Sequence, residues 1–221
     1  MIEIQKNIFI TKAFFLIFVI QILLSCSSDD AHKKVIECYE AYNKAIINGD
    51  GEEAIKYLDS RTIDYYAMLL KKALYAEKET LLRESFLNRL MIVQIRHMIP
   101  LEKVKNMNAK ALLIYAINNE WIGKEHVVGV KVRNVRIEEN FAVADSYKDN
   151  IKMNKLSFYY EKEQWRFNLT SLVTIIGPVF KKQIKETGLS ENEFILFAVE
   201  ALSGKSVSED VYIPLMNRNE K

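Results

Sequence analysis

Apolar and polar positions change rhythm several times along the chain, and each change predicts an element. Lys6 and Lys12 precede a short apolar run, Ala13 to Leu24, which ends at Leu23-Leu24-Ser25-Cys26. About a dozen apolar residues are too few to span a bilayer, and the order basic, apolar, small is that of a secretory leader. From about Asp30 to Asn48, Val35, Tyr39, Tyr42 and Ile46 recur at three- and four-residue steps, which predicts a helix that Gly49 ends. Asp50 with Glu53 three residues on predicts an N-cap and a short helix through Leu58. A third helix is expected from near Thr62. A fourth is expected from Thr80 to Met98, with Leu82, Phe86, Leu90, Val93 and His97 on one stripe and Pro100 as its stop. Asn108 to Asn118 reads as one more.

After Gly123 the period becomes two. Val128, Val130 and Val132 alternate with polar neighbours, then Val135 and Ile137 continue on the opposite parity, which predicts a bulge near Arg133-Asn134. Phe141, Val143 and Tyr147 predict a second strand, Leu156, Phe158 and Tyr160 a third, and Trp165, Phe167 and Leu169 a fourth, in an antiparallel meander. Glu161 to Gln164 is the polar turn between the last two. Helices return with Pro178 in the first turn of one ending near Gly188. Ser190 and Glu193 form the capping box of another that Gly204 closes. The expected class is α+β: helices packed on a curved antiparallel four-stranded sheet, with extra C-terminal helices.

The run ending at Cys26 resembles the lipobox of bacterial lipoproteins, carried by Leu23, Leu24 and Ser25. The resemblance implies cleavage before Cys26 and lipidation of its sulfur, hence a membrane partner through a lipid anchor. Ser27 after the cysteine is unlike the retention signal of inner-membrane lipoproteins. Ser27, Ser28, Asp29 and Asp30 are similar to an export tag for the cell surface. The implied location is the bacterial outer membrane, facing the periplasm or surface-exposed. The expected organisation is a leader over 1–25, a lipidated linker over 26–32, one α+β domain over 33–215 and a frayed tail over 216–221.

Composition removes several functions. The chain carries 31 Lys and Arg against 29 Asp and Glu, without a basic block, so nucleic acid is not an expected partner. Its three histidines lie far apart and its cysteines are only two, which argues against a metal site, and no glycine-rich phosphate loop implies a cofactor. Cys38, alone once Cys26 is lipidated, reads as a small core residue.

Tyr42-Asn43-Lys44-Ala45, Asn48-Gly49-Asp50 and Glu53 to Leu58 resemble the opening helices of the nuclear-transport-factor-two-like superfamily. Lys155 to Tyr160, the turn Glu161 to Gln164 and Trp165-Arg166-Phe167 resemble its closing hairpin. The resemblance implies a cone with an open mouth, and enzymes of this kind, such as the SnoaL-like cyclases, place acid and base groups inside it. The candidates here are Asp145, on the parity of Phe141, Val143 and Tyr147 and therefore expected inward, and Asp64 beside Tyr65 and Tyr66. His97 and His126 are weaker, and the first reads as a core residue. Tyr39, Tyr42, Tyr66, His97, Tyr147, Phe158, Tyr160 and Trp165 are the candidate pocket lining. The expected function is a non-enzymatic binding or accessory module for a small apolar ligand or another envelope protein. The alternatives are a SnoaL-like enzyme and an immunity or inhibitor lipoprotein. A partner-binding module would want an exposed apolar patch, for which Val211 to Leu215 is the candidate.

Overall fold

The computed structural model describes residues 29–122, 124 and 127–218, except the side chains of residues 174 and 175. The leader, the lipobox with Cys26, Ser27, Ser28 and His126 lie outside the described residues. Helix α1 (29–47) buries Val35, Tyr39, Tyr42 and Ile46 along the expected stripe, and Gly49 leaves it with a φ of +66°. Asp29 and Asp30 belong to this helix rather than to a linker reaching residue 32. Asp30 pairs with Lys34 one turn on, and carboxylates suit the positive end of the helix dipole.

Asp50 accepts a hydrogen bond from the Glu53 N–H at 2.9 Å and starts α2 (Gly51–Ala54), which tightens into a 3-10 turn over Ile55–Tyr57. Helix α3 (Ser60–Tyr75) begins at buried Asp59, whose Oδ1 accepts from the Thr62 N–H and hydroxyl. The expected single helix from Thr80 to Met98 is two, α4 (Lys78–Leu82) and α5 (Phe86–Met98). Ser85 accepts from the Asn88 N–H and so starts a new helix, and Leu82, at 40% exposure, is not on the buried stripe. Helices α6 (Leu101–Lys105) and α7 (Ala109–Asn118) follow, the second capped by Asn108.

Strands β1 (Val130–Glu138), β2 (Phe141–Lys148), β3 (Ile151–Glu161) and β4 (Gln164–Asn168) form an antiparallel meander in the order β1-β2-β3-β4. The bulge falls between Arg133 and Arg136, with Asn134 at a φ of +53°. Two residues turn each of the last two hairpins, Asp149-Asn150 and Lys162-Glu163, all four at positive φ as a tight hairpin turn requires.

The β2 parity is the reverse of the expected one. Ala142, Ala144 and Ser146 are buried in the core face, whereas Phe141, Val143, Asp145 and Tyr147 occupy the other. Across the β2–β3 pair, Ala142 stands opposite Phe158 and Ala144 opposite Leu156, so small residues face large ones and the layer fills.

A 3-10 turn over Leu169–Leu172 leads into α8 (Val173–Thr187), which starts earlier than expected, so Pro178 lies inside it rather than in its first turn. The Ser190–Glu193 capping box opens α9 (Glu191–Ser203), and Gly204 ends it in the left-handed region. Val211, Tyr212 and Leu215, the candidate exposed patch, are buried against the helices instead. Asn217 and Arg218, expected to be frayed, are bonded: Asn217 donates to Glu77, and Arg218 to the carbonyls of Arg96 and Val211. Residues 219–221 lie outside the described residues. Among the described residues, no helix is long and apolar enough to cross a membrane.

Candidate functional site

Between the helices and the core face of the sheet lies a cavity of about 680 Å³, within the range of small-molecule sites. Tyr39 and Tyr42 from α1, Tyr65 and Tyr66 from α3, and Leu87, Leu90, Met91, Gln94 and Met98 from α5 form one wall. Val130, Ser146, Met153, Asn154, Leu156 and Phe167 bring the sheet to it, and Ile176, Phe180 and Leu202 come from α8 and α9. Asn119 to Ile122, after α7, also border it, with Val127 and the turn from Leu169 into the start of α8. Three methionines in the lining, Met91 and Met98 on α5 and Met153 on β3, allow it to conform to a ligand.

Apart from Glu120, the polar side chains on this lining are uncharged. Among its described residues Glu120 is the only charged one, and its carboxylate is exposed and paired with Lys124 at 2.9 Å. Tyr42 is 1% exposed and its hydroxyl is buried without a hydrogen-bond partner, as is the Trp121 indole N–H. Gln94 on α5 is also buried. Burial, with Tyr66 and Tyr39 nearby, pushes the Tyr42 phenol far above its ordinary pKa. Burial likewise raises Tyr66 and takes Tyr39 to about 12. These phenols stay protonated at neutral pH and act as donors.

Of the expected lining residues, Tyr39, Tyr42 and Tyr66 border the cavity. Phe158 and Trp165 are core, the first 5.4 Å from the Phe167 ring and the second 5.3 Å from half-exposed Tyr160. Tyr147 is on the outer face of the sheet, where its hydroxyl accepts from Asn134 at 2.9 Å. His97 is half-buried with Nε2 3.1 Å from the Ser203 hydroxyl, and burial, then Lys205 and Arg218, hold its pKa down.

The two carboxylate candidates are elsewhere. Asp64 is exposed to solvent on α3. Asp145 is 2% exposed but faces away from the core, under Lys152 at 2.9 Å, Asn134 at 3.2 Å and Arg136 at 3.6 Å. The hydrogen bond from Lys152, then that from Asn134, both to Oδ2, lowers its pKa, so it is an ion-paired, weak base whose buried Oδ1 has only the Arg136 ion pair. The charge of this buried carboxylate, which drew attention to it, is balanced by Lys152 and Arg136 on the outer face of the sheet.

Sequence reasoning missed Trp121, Gln94, Met91 and Met98. A signal existed for three of them. Leu87, Leu90, Met91, Gln94 and Met98 share one face of α5 at three- and four-residue steps, and a glutamine on such a face marks a place where a polar group meets something other than core. Among the described residues, no three His, Cys, Asp or Glu side chains converge as metal ligands do. Comparison of the chain with protein-family models, with characterised proteins and with solved structures finds no significant match.

Proposed function

We propose that this chain is an outer-membrane lipoprotein anchored through Cys26, whose α+β domain is a nuclear-transport-factor-two-like cone that binds a small apolar ligand without transforming it. The observation that carries the reading is the lining of the 680 Å³ cavity, which offers apolar surface and hydrogen-bond donors but no placed acid–base pair. Acid–base turnover needs a base within reach of the substrate proton. Asp145, Asp64 and His97 all stand outside the lining, which weighs against the SnoaL-like alternative.

An envelope protein as partner is the second reading. Val179, Phe197 and Leu202 on α8 and α9 expose large apolar surface, Phe197 at 60% and Leu202 at 64%. The immunity or inhibitor alternative has no observation of its own in its favour.

The test is native mass spectrometry of the lipidated protein released gently from its envelope. A reproducible small-molecule adduct is expected, and it persists in Asp145→Asn because that carboxylate lies on the other face of the sheet. A protein bound to an empty cavity would turn the assignment to the second reading. An adduct consumed over time, with Asp145→Asn blocking its loss, would replace binding by catalysis.

A further inference from the structure

The β2–β3 end of the sheet carries opposite chemistry on its two sides. On the outer face the register sets Arg133 and Lys155 on either side of Asp145, and Lys131 and Lys152 on either side of Tyr147 in the row nearest the Asp149-Asn150 turn. Arg136 reaches the same carboxylate from the next row. All five cations are exposed and Asp145 lies buried beneath them, so this face is strongly positive although the chain as a whole is close to neutral.

The other side of the same end is apolar. Ile151 is 67% exposed and Met153 53%, and Val128, two residues before β1 begins, is 47% exposed. Met153 also borders the cavity, so the rim of the cavity reaches this end of the sheet. Exposed apolar side chains beside a positive face are what an interfacial protein presents to a bilayer: hydrocarbon enters the headgroup boundary, and Lys and Arg extend along it to lipid phosphate. Nucleic acid would answer the charge but offer nothing to Ile151 and Met153. A chain anchored through Cys26, as proposed above, is already held at a bilayer, and there a weak surface suffices to fix its orientation.

We propose that this edge docks on an anionic lipid surface, with Ile151 and Val128 in the headgroup boundary and Lys131, Arg133, Lys152 and Lys155 on lipid phosphates. Docking turns the rim of the cavity at Met153 towards the bilayer. The proximity rests on the anchoring reading; the charge and the apolar tip do not.

The experiment mixes the full chain, as isolated from its envelope, with vesicles of phosphatidylcholine alone or with about one third phosphatidylglycerol. Exposed lysines are acetylated with a water-soluble reagent and read by peptide mass spectrometry against Lys182, an exposed lysine on α8. Lys131, Lys152 and Lys155 are expected to be acetylated about 5-fold less on the anionic vesicles. The difference should vanish in about 0.5 M salt, where screening shortens to a few ångström. Lys131→Glu with Arg133→Glu should return Lys152 and Lys155 to their level on neutral vesicles, with an unchanged melting temperature because both positions are exposed. Ile151→Ser should weaken the protection in the same direction. If a variant melts lower, the lipid and salt comparison on the parent decides alone.

Equal acetylation on the two kinds of vesicle would overturn the proposal, as would protection that survives salt or the double charge reversal. Protection without vesicles, by an acidic protein that copurifies, would give the face to a protein and overturn it too. An intact mass without lipid on Cys26 would remove the anchoring reading, while the vesicle comparison still decides the edge.

Discussion

At the scale of single residues, the most consequential side chain outside the cavity is Arg96. Its guanidinium is buried and donates to five carbonyls: Lys72, Ala73 and Ala76 at the end of α3, and Val211 and Tyr212 in the tail. One planar fork thus satisfies the open C-terminus of a helix and pins a segment more than a hundred residues away in sequence. Burial, and the charge of Arg218 nearby, lower its pKa to about 10, which still leaves it charged at neutral pH. Arg96→Lys retains the charge but only three donors and no planar fork. We expect a loss of about 3 kcal/mol or more in urea unfolding, with the tail becoming protease-sensitive, since carbonyls stripped of a charged donor stay buried. An unchanged midpoint would mean the tail is held by its apolar side chains alone. Nothing local marks Arg96 in the sequence: its neighbours Ile95 and His97 read as ordinary helix, and its partners become visible only when α3 and the tail are brought to it.

At the scale of elements, α2 and α7 approach closely at Gly51. The Gly51 N–H donates to Asn118 Oδ1 at 2.8 Å, and a Cβ at Gly51 would meet Ile114 O at 2.8 Å and Ile114 Cα at 2.9 Å, both backbone. Gly51→Ala is therefore expected to push the two helices apart and to cost about 1–3 kcal/mol, read as a lower thermal midpoint. A neutral result would show that α2 can move freely. The capping residues Asp50, Ser190 and Glu193 were legible because a cap is a contact over three residues. The break between α4 and α5 was not, because Leu82 continues the apolar period of α5 although it is 40% exposed. The early start of α8 escaped for the converse reason: Pro178 tolerates a helical φ wherever its missing N–H is not needed.

At the scale of the molecule, the core holds an unusual number of buried acids. Burial raises the Cys38 thiol from 9.0 to about 12, takes Tyr39 and Tyr65 from 10.0 to about 12, and pushes Tyr42 and Tyr66 higher. Folded, these groups keep protons that the unfolded chain releases, so above about pH 9 the unfolded state binds fewer protons and stability falls as pH rises. The fall should steepen from about pH 9 towards pH 12, by at most about 1.4 kcal/mol per pH unit for each group. Thermal melts across that range check it, and a flat midpoint would place these groups in contact with water. Cys38 should meanwhile resist thiol reagents until the protein unfolds.

The sequence by itself determined the periodic features of this protein: the α1 stripe, the meander with its bulge, the capping box, and the α+β class that follows from their order. These are set by neighbours within a few residues, where backbone sterics and side-chain spacing act directly. Only the tertiary structure decided which face of β2 is inside, because the large side chains of Phe158 and Leu156 across the sheet admit alanine there and send Asp145 outward. It gathers Lys131, Arg133, Arg136, Lys152 and Lys155 around that carboxylate, a basic face no linear block announces. It also makes the cavity, whose lining spans Tyr39 to Leu202. Burial is a property of what packs opposite, and a residue's own neighbours in the chain carry no record of that.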